Sequence, residues 1–303
     1  MGQLENMQIF IRVVEAGGIG LAAEQLNLAK SAVSRRLAEL ENQLGVTLLN
    51  RTTRTSSLTD AGRMYYTNAL CIVNDVTSLN ADTSAPQTLP QGTLRLTAPL
   101  SFGLTHLAPV LDAFIKEYPA LNLHVDFSDQ HIDLIEGGYD LAFRIGDLDD
   151  STLKARRITS INLIMCASPD YLERCGVPKK MSELRAHSLL RYSLGDHASS
   201  WTFRDKENKE IMVPIEAKMH SNNGDFLRDM AVAGHGIVCL PTFIVWQALL
   251  KKELVSILPE YFIAPKNAYA VYPKTRYLSQ KSRLLIDYLA TQFGEPPYWE
   301  QNL

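Results

Sequence analysis

Five side chains at the start of one short segment could do chemistry on a charged polymer: Lys30, Ser31, Ser34, Arg35 and Arg36. Hydroxyls and the free amides of a helix N-terminus bind phosphate, while arginine and lysine donate to guanine edges in a major groove. The same segment carries Val33, Leu37, Leu40 and Leu44 spaced 4, 3 and 4. That spacing predicts a helix with one apolar stripe turned inward and its polar residues turned out. A second basic stretch follows, Arg51-Thr52-Thr53-Arg54-Thr55, polar and β-prone. Over residues 30–63 six basic groups stand against three acidic ones, whereas the whole 303-residue chain has a net charge of −3. The positive charge is therefore local, as a nucleic-acid-binding surface on an otherwise acidic protein requires. The plainer alternative is a solvated face on which Arg35 and Arg36 pair with Glu39 one turn on.

Such residues need a frame. Met7, Phe10, Ile11 and Val14 recur at i, i+3, i+4 and i+7, predicting a first helix that Gly17-Gly18 ends. A short second helix, from about Leu21 to Leu26, turns Ala22, Ala23 and Leu26 inward, and Asn27-Leu28 makes a tight turn. Gly45 sits where a left-handed helix terminator belongs. Three short helices with a tight turn between the second and third describe a helix-turn-helix, and the basic stretch reads as the wing beside it. The winged head spans 1–60. From Thr59 to Leu79 one long helix carries Tyr65, Ala69, Ile72, Val76 and Leu79 at alternating spacings of 4 and 3. This heptad seam has nowhere to hide in a small domain, so it is expected to dimerise with a second helix. Residues 59–90 are thus a dimerising helix and hinge, with Pro86 and Pro90 in the linker.

Beyond the linker the rhythm changes to strand and helix in alternation, the mark of an α/β domain with ligands at the carboxyl ends of its strands. Strands are predicted at Thr93–Thr97, Leu121–Phe127, Leu141–Ile145, Ile161–Ala167, Leu189–Tyr192, Ile237–Leu240 and Ala268–Tyr272. Helices are predicted at Leu107–Glu117, Ile132–Glu136, Phe226–Ala233, Thr242–Lys251 and Lys281–Phe293. The chain crosses twice between two lobes, near residues 163 and 266. Lobe I is then about 91–162 and 267–303, and lobe II about 163–266, within an effector domain of 91–303.

Several functions are excluded or disfavoured. Four cysteines (Cys71, Cys166, Cys175, Cys239) form no CxxC pair and no disulfide framework. His106, His124 and His131 lack metal-ligand spacing. No GxSxG, Walker loop or dinucleotide glycine pattern occurs, so no catalytic residue, metal or cofactor is expected and the chain does not read as an enzyme. Charged residues interrupt the N-terminus and no apolar run reaches bilayer length, so a soluble, cytoplasmic protein without a membrane partner is expected. Two competing readings remain: a solute-binding or enzymatic α/β domain whose N-terminus merely dimerises, and a redox sensor using Cys166 and Cys175. Against the second, Cys166 follows Leu163-Ile164-Met165 in an apolar strand, whereas a sensor thiol needs an exposed, electropositive setting.

The run Ala22-Ala23-Glu24-Gln25-Leu26, then Ser31-Ala32-Val33-Ser34-Arg35-Arg36-Leu37 with Leu40-Glu41, resembles the winged helix-turn-helix signature of LysR-type transcriptional regulators. So do Leu44-Gly45-Val46-Thr47-Leu48-Leu49-Asn50-Arg51 and Leu58-Thr59-Asp60-Ala61-Gly62. The likeness continues through Gly92-Thr93-Leu94-Arg95-Leu96, Tyr139-Asp140-Leu141-Ala142-Phe143-Arg144-Ile145-Gly146, Ala233-Gly234-His235-Gly236-Ile237 and Leu240-Pro241. The resemblance implies a homodimer or a tetramer that binds an inverted repeat in double-stranded DNA, with RNA polymerase as a further partner. It also implies a periplasmic-binding-protein-like sensor of two lobes that takes a small-molecule effector. Residues matching Lys30, Ser31, Ser34 and Arg35 face the major groove in the family, and those matching Arg51 and Arg54 approach the backbone or minor groove. Gly18, Gly20 and Ala29 stand where members often carry hydroxyls, so phosphate contacts are not carried over there. The implied effector crevice is lined by Leu100, Ser101, Phe102, Ser128 and Arg144 from one lobe. Asn222, Asn223, Gly224 and Pro241 come from the other. An arginine facing a free helix N-terminus favours a carboxylate, so a small organic anion is expected. Arg144 could instead pair with Asp147 or Asp149, and Asn222-Asn223-Gly224 could be an ordinary turn and cap.

Overall fold

In the computed structural model the described residues are 2–51, 56–84, 89–146, 148, 152–193, 200–214, 216–274 and 277–303. The chain opens with α1 (Gln3–Glu15), α2 (Ile19–Gln25) and α3 (Lys30–Leu44). Ile9, Phe10 and Val13 of α1 close on Ala22, Ala23 of α2 and on Val33, Leu37 and Leu40 of α3, one buried stripe from each helix. Asn27 takes a positive φ of 53° in the turn between α2 and α3, and Gly45 ends α3 with φ 70°. The Glu41 carboxylate then accepts from the amides of Leu48 (2.8 Å) and Leu49 (3.2 Å), tying α3 to β1 (Leu49–Arg51). β2 (Ser56–Leu58) returns antiparallel to β1, completing the base of the wing. The wing tip, with Thr52 and Arg54, lies outside the described residues.

Thr59 starts α4 (Asp60–Ser84): its hydroxyl accepts from the Gly62 amide at 2.9 Å and donates to Thr47 O at 2.8 Å. Gly62 is required because a Cβ there would stand 2.0 Å from Leu48 O. The expected five-residue seam on this helix divides in two. Ring centroids of Tyr65 and Phe10 lie 5.6 Å apart, edge-on, and Ala69 is buried with Met7 and Ile11. Tyr65 and Ala69 therefore belong to the head's own core and are not seam residues. Ile72 and Leu79, 45% and 46% exposed, and the partly covered Val76 keep an apolar edge on the outside. Heptad spacing alone could not tell a partner helix in the same chain from one in a second copy.

Two five-stranded mixed sheets follow. The first uses β3 (Gly92–Ala98), β4 (Leu121–Phe127), β5 (Leu141–Ile145), β6 (Leu153–Ile161) and, later, β14 (Lys266–Pro273), in the order β4-β3-β5-β14-β6. Between β3 and β4 run α5 (Leu100–Phe102), a π-helical turn (Gly103–Leu107) and α6 (Ala108–Glu117) without interruption. The second sheet contains β7 (Leu163–Ala167), followed by α7 (Pro169–Cys175), and β8 (Leu189–Tyr192). A separate hairpin of β9 (Ser200–Arg204) and β10 (Glu210–Pro214) intervenes before β11 (Ala217–Ser221) and α8 (Gly224–Val232). β12 (Ile237–Pro241), α9 (Thr242–Leu250) and β13 (Val255–Ser256) complete it, in the order β11-β8-β12-β7-β13. After β14, α10 (Gln280–Phe293) packs back on the first sheet.

Several elements depart from the sequence-based expectation; α7, β11 and β13, for example, were not anticipated. The predicted strand at 161–167 is split at Asn162, its first residue ending β6 and the rest forming β7. β6 itself was not predicted, because Lys154, Arg156 and Arg157 mask its periodicity. It is an edge strand held by backbone pairing to β14 along its whole length. The predicted helix at 132–136 is a single turn: Asp133 Oδ1 takes the amides of Ile135 (2.7 Å) and Glu136 (3.0 Å), and Gly137-Gly138 stops it.

The C-terminal residues fasten the lobes together. Glu300 accepts from Asn162 Nδ2 at 2.6 Å and from Thr242 Oγ1 at 2.5 Å, at the crossing between the sheets. His106, buried at the π turn, pairs through Nε2 with Phe243 O (3.0 Å) and through Nδ1 with the Tyr298 hydroxyl (2.5 Å). Nε2 donates to the carbonyl, so neutral His106 accepts from the tyrosine. Burial holds the imidazole pKa below its ordinary 6.5. The stability it contributes is complete above pH 6.5 and is lost as the pH falls below that value. Thermal unfolding followed between about pH 7.5 and 5 should therefore steepen less with acid in His106→Gln than in the native chain. Parallel curves would show that His106 does not titrate on unfolding.

Candidate nucleic-acid interface and ligand crevice

On α3 the stripe of Val33, Leu37 and Leu40 is buried, which leaves Lys30, Ser31 and Arg35 exposed and Ser34 partly so. Ala29 precedes the helix and supplies no side-chain cap, so the first amides are left without one. Arg35 is 71% exposed and approaches Glu39 at 3.7 Å, a loose pair of the kind that costs little to break. Arg36 is different. Its side chain is only 11% exposed, and it reaches back to α1, meeting Glu5 at 3.0 Å and Asn6 Oδ1 at 3.2 Å. The expectation that Arg36 contacts nucleic acid is corrected: it braces α1 against α3. One position along a helix rotates a side chain by about 100°, enough to move an arginine from the outer face to the inner flank. Gly20 lies inside α2, whose cap position is Gly18. Arg51 ends β1, opposite Ser56.

The crevice residues also divide. Ser101 is nearly buried at the end of β3, and Leu100 beside it is half exposed. Phe102 does not line the crevice. It is fully buried, stacked on Phe143 at 4.4 Å and edge-on to Phe243, Phe293 and Trp299. A helix following a strand buries one residue in three or four, and Phe102 is that residue. Across the gap, Asn223 caps its own helix by accepting from Phe226 N at 2.9 Å, and a Cβ on Gly224 would stand 2.4 Å from Ile244 Cδ1. The turn at Asn222-Asn223-Gly224 is thus an ordinary cap, with Gly224 packed on α9 and Asn222 left exposed. Pro241 is partly exposed at the start of α9.

Arg144 does not reach that turn. It is 9% exposed, its Nη1 donates to Ser128 O (3.3 Å) and Gln130 O (2.9 Å), and its Nη2 is buried with no partner among the described residues. Burial lowers its pKa, with Asp129 and Tyr139 opposing. The acidic alternatives Asp147 and Asp149 lie outside the described residues. Asp129 is the residue that sequence reasoning missed. Its carboxylate accepts from the Leu100 amide and faces Arg144, yet burial and Asp225 across the gap raise its pKa. Tyr192 looks onto the same carboxylate, and burial pushes its hydroxyl up to about 12. A lone aspartate in a polar turn carries no periodic signal, so only the end of the preceding strand at Phe127 could have drawn notice to it. Asp225 is itself held by Arg228 at 2.7 Å.

Cys166 is buried and its thiol pushed up to about 12, which removes the thiolate that a redox sensor needs. Among the described residues there is no cluster of three or more His, Cys, Asp or Glu able to hold a metal, and no helix is long and apolar enough to cross a membrane.

A three-helix head with a wing, a long connecting helix and a two-lobed α/β sensor together define a ligand-responsive DNA-binding protein. Residues 4–63 match the bacterial regulatory helix-turn-helix protein, lysR family, and residues 87–294 match the LysR substrate binding domain. The chain belongs to the LysR family of transcriptional regulators. It is 38% identical to an HTH-type transcriptional regulator of Haemophilus influenzae, over 93% of this chain and 97% of that one. It is 34% identical to the regulator DmlR of Escherichia coli, over 96% and 95%. Among solved structures, CrgA of Neisseria meningitidis superposes with a TM-score of 0.62 at 34% identity, covering 96% of this chain and 98% of that one. The full-length Vibrio cholerae virulence activator AphB gives 0.61 at 26% identity, covering 96% and 99%.

The two neighbouring arginines should separate cleanly in unfolding experiments. Arg36→Ala should cost about 1–3 kcal/mol, since it strands Asn6 and Glu5 at a part-buried contact. Arg35→Ala should stay within about 0.5 kcal/mol of the native chain, as exposed positions do. Equal losses in urea titrations would show that Arg36 is not a brace.

Proposed function

We propose that this chain is a cytoplasmic, effector-responsive regulator that binds an inverted-repeat operator as a homodimer or as a tetramer of paired dimers, with RNA polymerase as a further partner. The observation that carries this reading is the exposed start of α3, where Lys30, Ser31, Ser34 and Arg35 surround a helix N-terminus without a side-chain cap. In this reading those four residues enter the major groove. Arg51, Thr52 and Arg54 of the wing approach the backbone or minor groove. Ile72, Val76 and Leu79 pair with a second copy, setting the distance between two heads. The effector is a small organic anion received between the lobes, where Leu100, Ser101, Ser128, Asn222 and Pro241 offer surface and Arg144 the positive charge. Asp129 shares the Leu100 amide and Arg144 with that anion, so binding displaces it or protonates it. The effector acts only by preferring one arrangement of the lobes.

Two measurements test the reading. Operator fragments selected from genomic DNA should bind Arg35→Ala more weakly by about 1–3 kcal/mol at fixed salt. Unchanged affinity in fluorescence anisotropy would take Arg35 out of the interface. In sedimentation, Ile72→Asp and Val76→Asp should each dissociate the dimer, because a charge then sits in the apolar edge of α4. An intact dimer in both variants would rule out this pairing.

A further inference from the structure

Trp299 follows α10 by a few residues and is nevertheless buried, at 1% exposure. Its ring meets Phe102, His106 and Phe293 of lobe I, with centroids 5.7, 4.6 and 5.8 Å away. On its other side stands Phe243 of lobe II, at 6.3 Å. Tyr298 repeats the pattern: its hydroxyl reaches His106 in lobe I, and its ring lies edge-on to Trp246 of lobe II at 5.9 Å. Glu300 gives one carboxylate oxygen to Asn162 at the crossing and the other to Thr242 at the start of α9.

The segment that delivers these side chains is tied at its other end to lobe I alone. Gly294 leaves α10 with φ 67°, and its carbonyl accepts from Thr159 Oγ1 of β6 at 3.0 Å. Glu295 pairs with Arg157 of the same strand. Pro296 and Pro297, each with a fixed φ, then lead into the 3₁₀ turn of Tyr298–Glu300. We propose that residues 294–300 are a strap that locks the two lobes in one arrangement, with Trp299 and Glu300 as the residues that position lobe II.

A terminal segment that only covered a core would bury its side chains against its own lobe. Here each residue of the turn bridges both. On lobe II the contacts fall on one short stretch of α9, Thr242 to Trp246, so a single rigid element takes the load. The apolar core is continuous through this point, with Phe102, Phe293 and Trp299 packed together with Phe243. Swinging lobe II away would return an aromatic face to water. One feature works against the lock: Trp299 Nε1 is buried with no partner among the described residues. An orphaned indole N–H makes the seat shallower than its apolar packing alone would, so the strap can leave without unfolding a sheet. Residues 295–300 also lie past the stretch 87–294 that matches the family's sensor domain. A ligand in the crevice then rearranges the lobes only by preferring the unstrapped state, and the strap sets how large that preference must be.

Paired spin labels on the full chain test the proposal. Cys175 is exposed on α7 of lobe II, whereas Cys71, Cys166 and Cys239 are buried, and Lys116→Cys supplies an exposed site on α6 of lobe I. Excess unlabelled chain removes distances between copies. The native strap should give one narrow distance. Trp299→Ala and deletion of 297–303 should each widen the distribution about twofold or more, because a released lobe samples several arrangements. Amide protection in β3 and β14 of lobe I, and in β8 and β12 of lobe II, should persist in both. Leu285→Ala, a truncation inside the lobe I core, should lower the unfolding temperature and leave the distance narrow. Native width in both strap variants, or equal widening in Leu285→Ala, overturns the proposal. So does loss of protection throughout both lobes, which would make the turn part of one indivisible core. No effector enters the measurement, so its outcome is independent of what the crevice binds.

Discussion

Phe10 stands edge-on to Tyr65 and Tyr66, and Met7, Ile11 and Ala69 close the same seam one turn further along. This contact between the first helix and the fourth is what the rest of the molecule depends on. A long helix that merely followed the wing would pivot about Thr59. Burying aromatic and aliphatic area against α1 removes the pivot, because opening the joint would return that surface to water. The face of α3 opposite its reading residues is in turn packed on α1 through Val33, Leu37 and Leu40 and braced by Arg36. Head and connecting helix therefore move as one piece, and any force on α4 arrives at α3.

The sensor is arranged to deliver such a force. Gly138 sets the turn that follows β4 against Thr67 and Cys71, and Tyr277 donates to Asp82 near the far end of the helix. Lobe I thus holds α4 at two points about one-half of its length apart. Lobe II meets lobe I through the bonds of Glu300 with Asn162 and Thr242 and of His106 with Phe243, and through the packing of Phe243 and Trp246 on Phe102, Tyr298 and Trp299.

Much of this was legible in the residues. Apolar spacing located the three helices of the head, the long helix and most strands of the sheets, because each buries one face and leaves the period intact. What periodicity could not report was the identity of the partner. Tyr65 and Ala69 carry the same heptad spacing as Ile72 and Val76, yet the first pair packs on α1 within the chain and Ile72 is exposed. Arg36 and Arg35 are adjacent and chemically alike, and only the position of Glu5 and Asn6 on another helix separates a brace from a reading residue. β6 escaped notice because edge strands are held by backbone bonds that leave no mark on side-chain pattern. For the ligand region, resemblance named strand ends but carried no information on side-chain direction. It therefore placed Phe102 at a surface it does not reach, brought Arg144 to the wrong neighbours and passed over Asp129.

The packing of Tyr65 and Ala69 on α1 has a bearing on how such proteins can be recombined. Taking the winged head as a module that ends at the wing, near residue 60, would leave part of its apolar core on the other side of the splice. A chimaera joined there would ask Phe10, Met7 and Ile11 to repack on a foreign helix, and the graft would be judged inactive when it is only badly cut. Placing the junction beyond Val73, the last residue of α4 in contact with that cluster, transfers the head with everything it needs to stay folded. The natural unit of exchange in this architecture is the reading head plus the first half of its shaft.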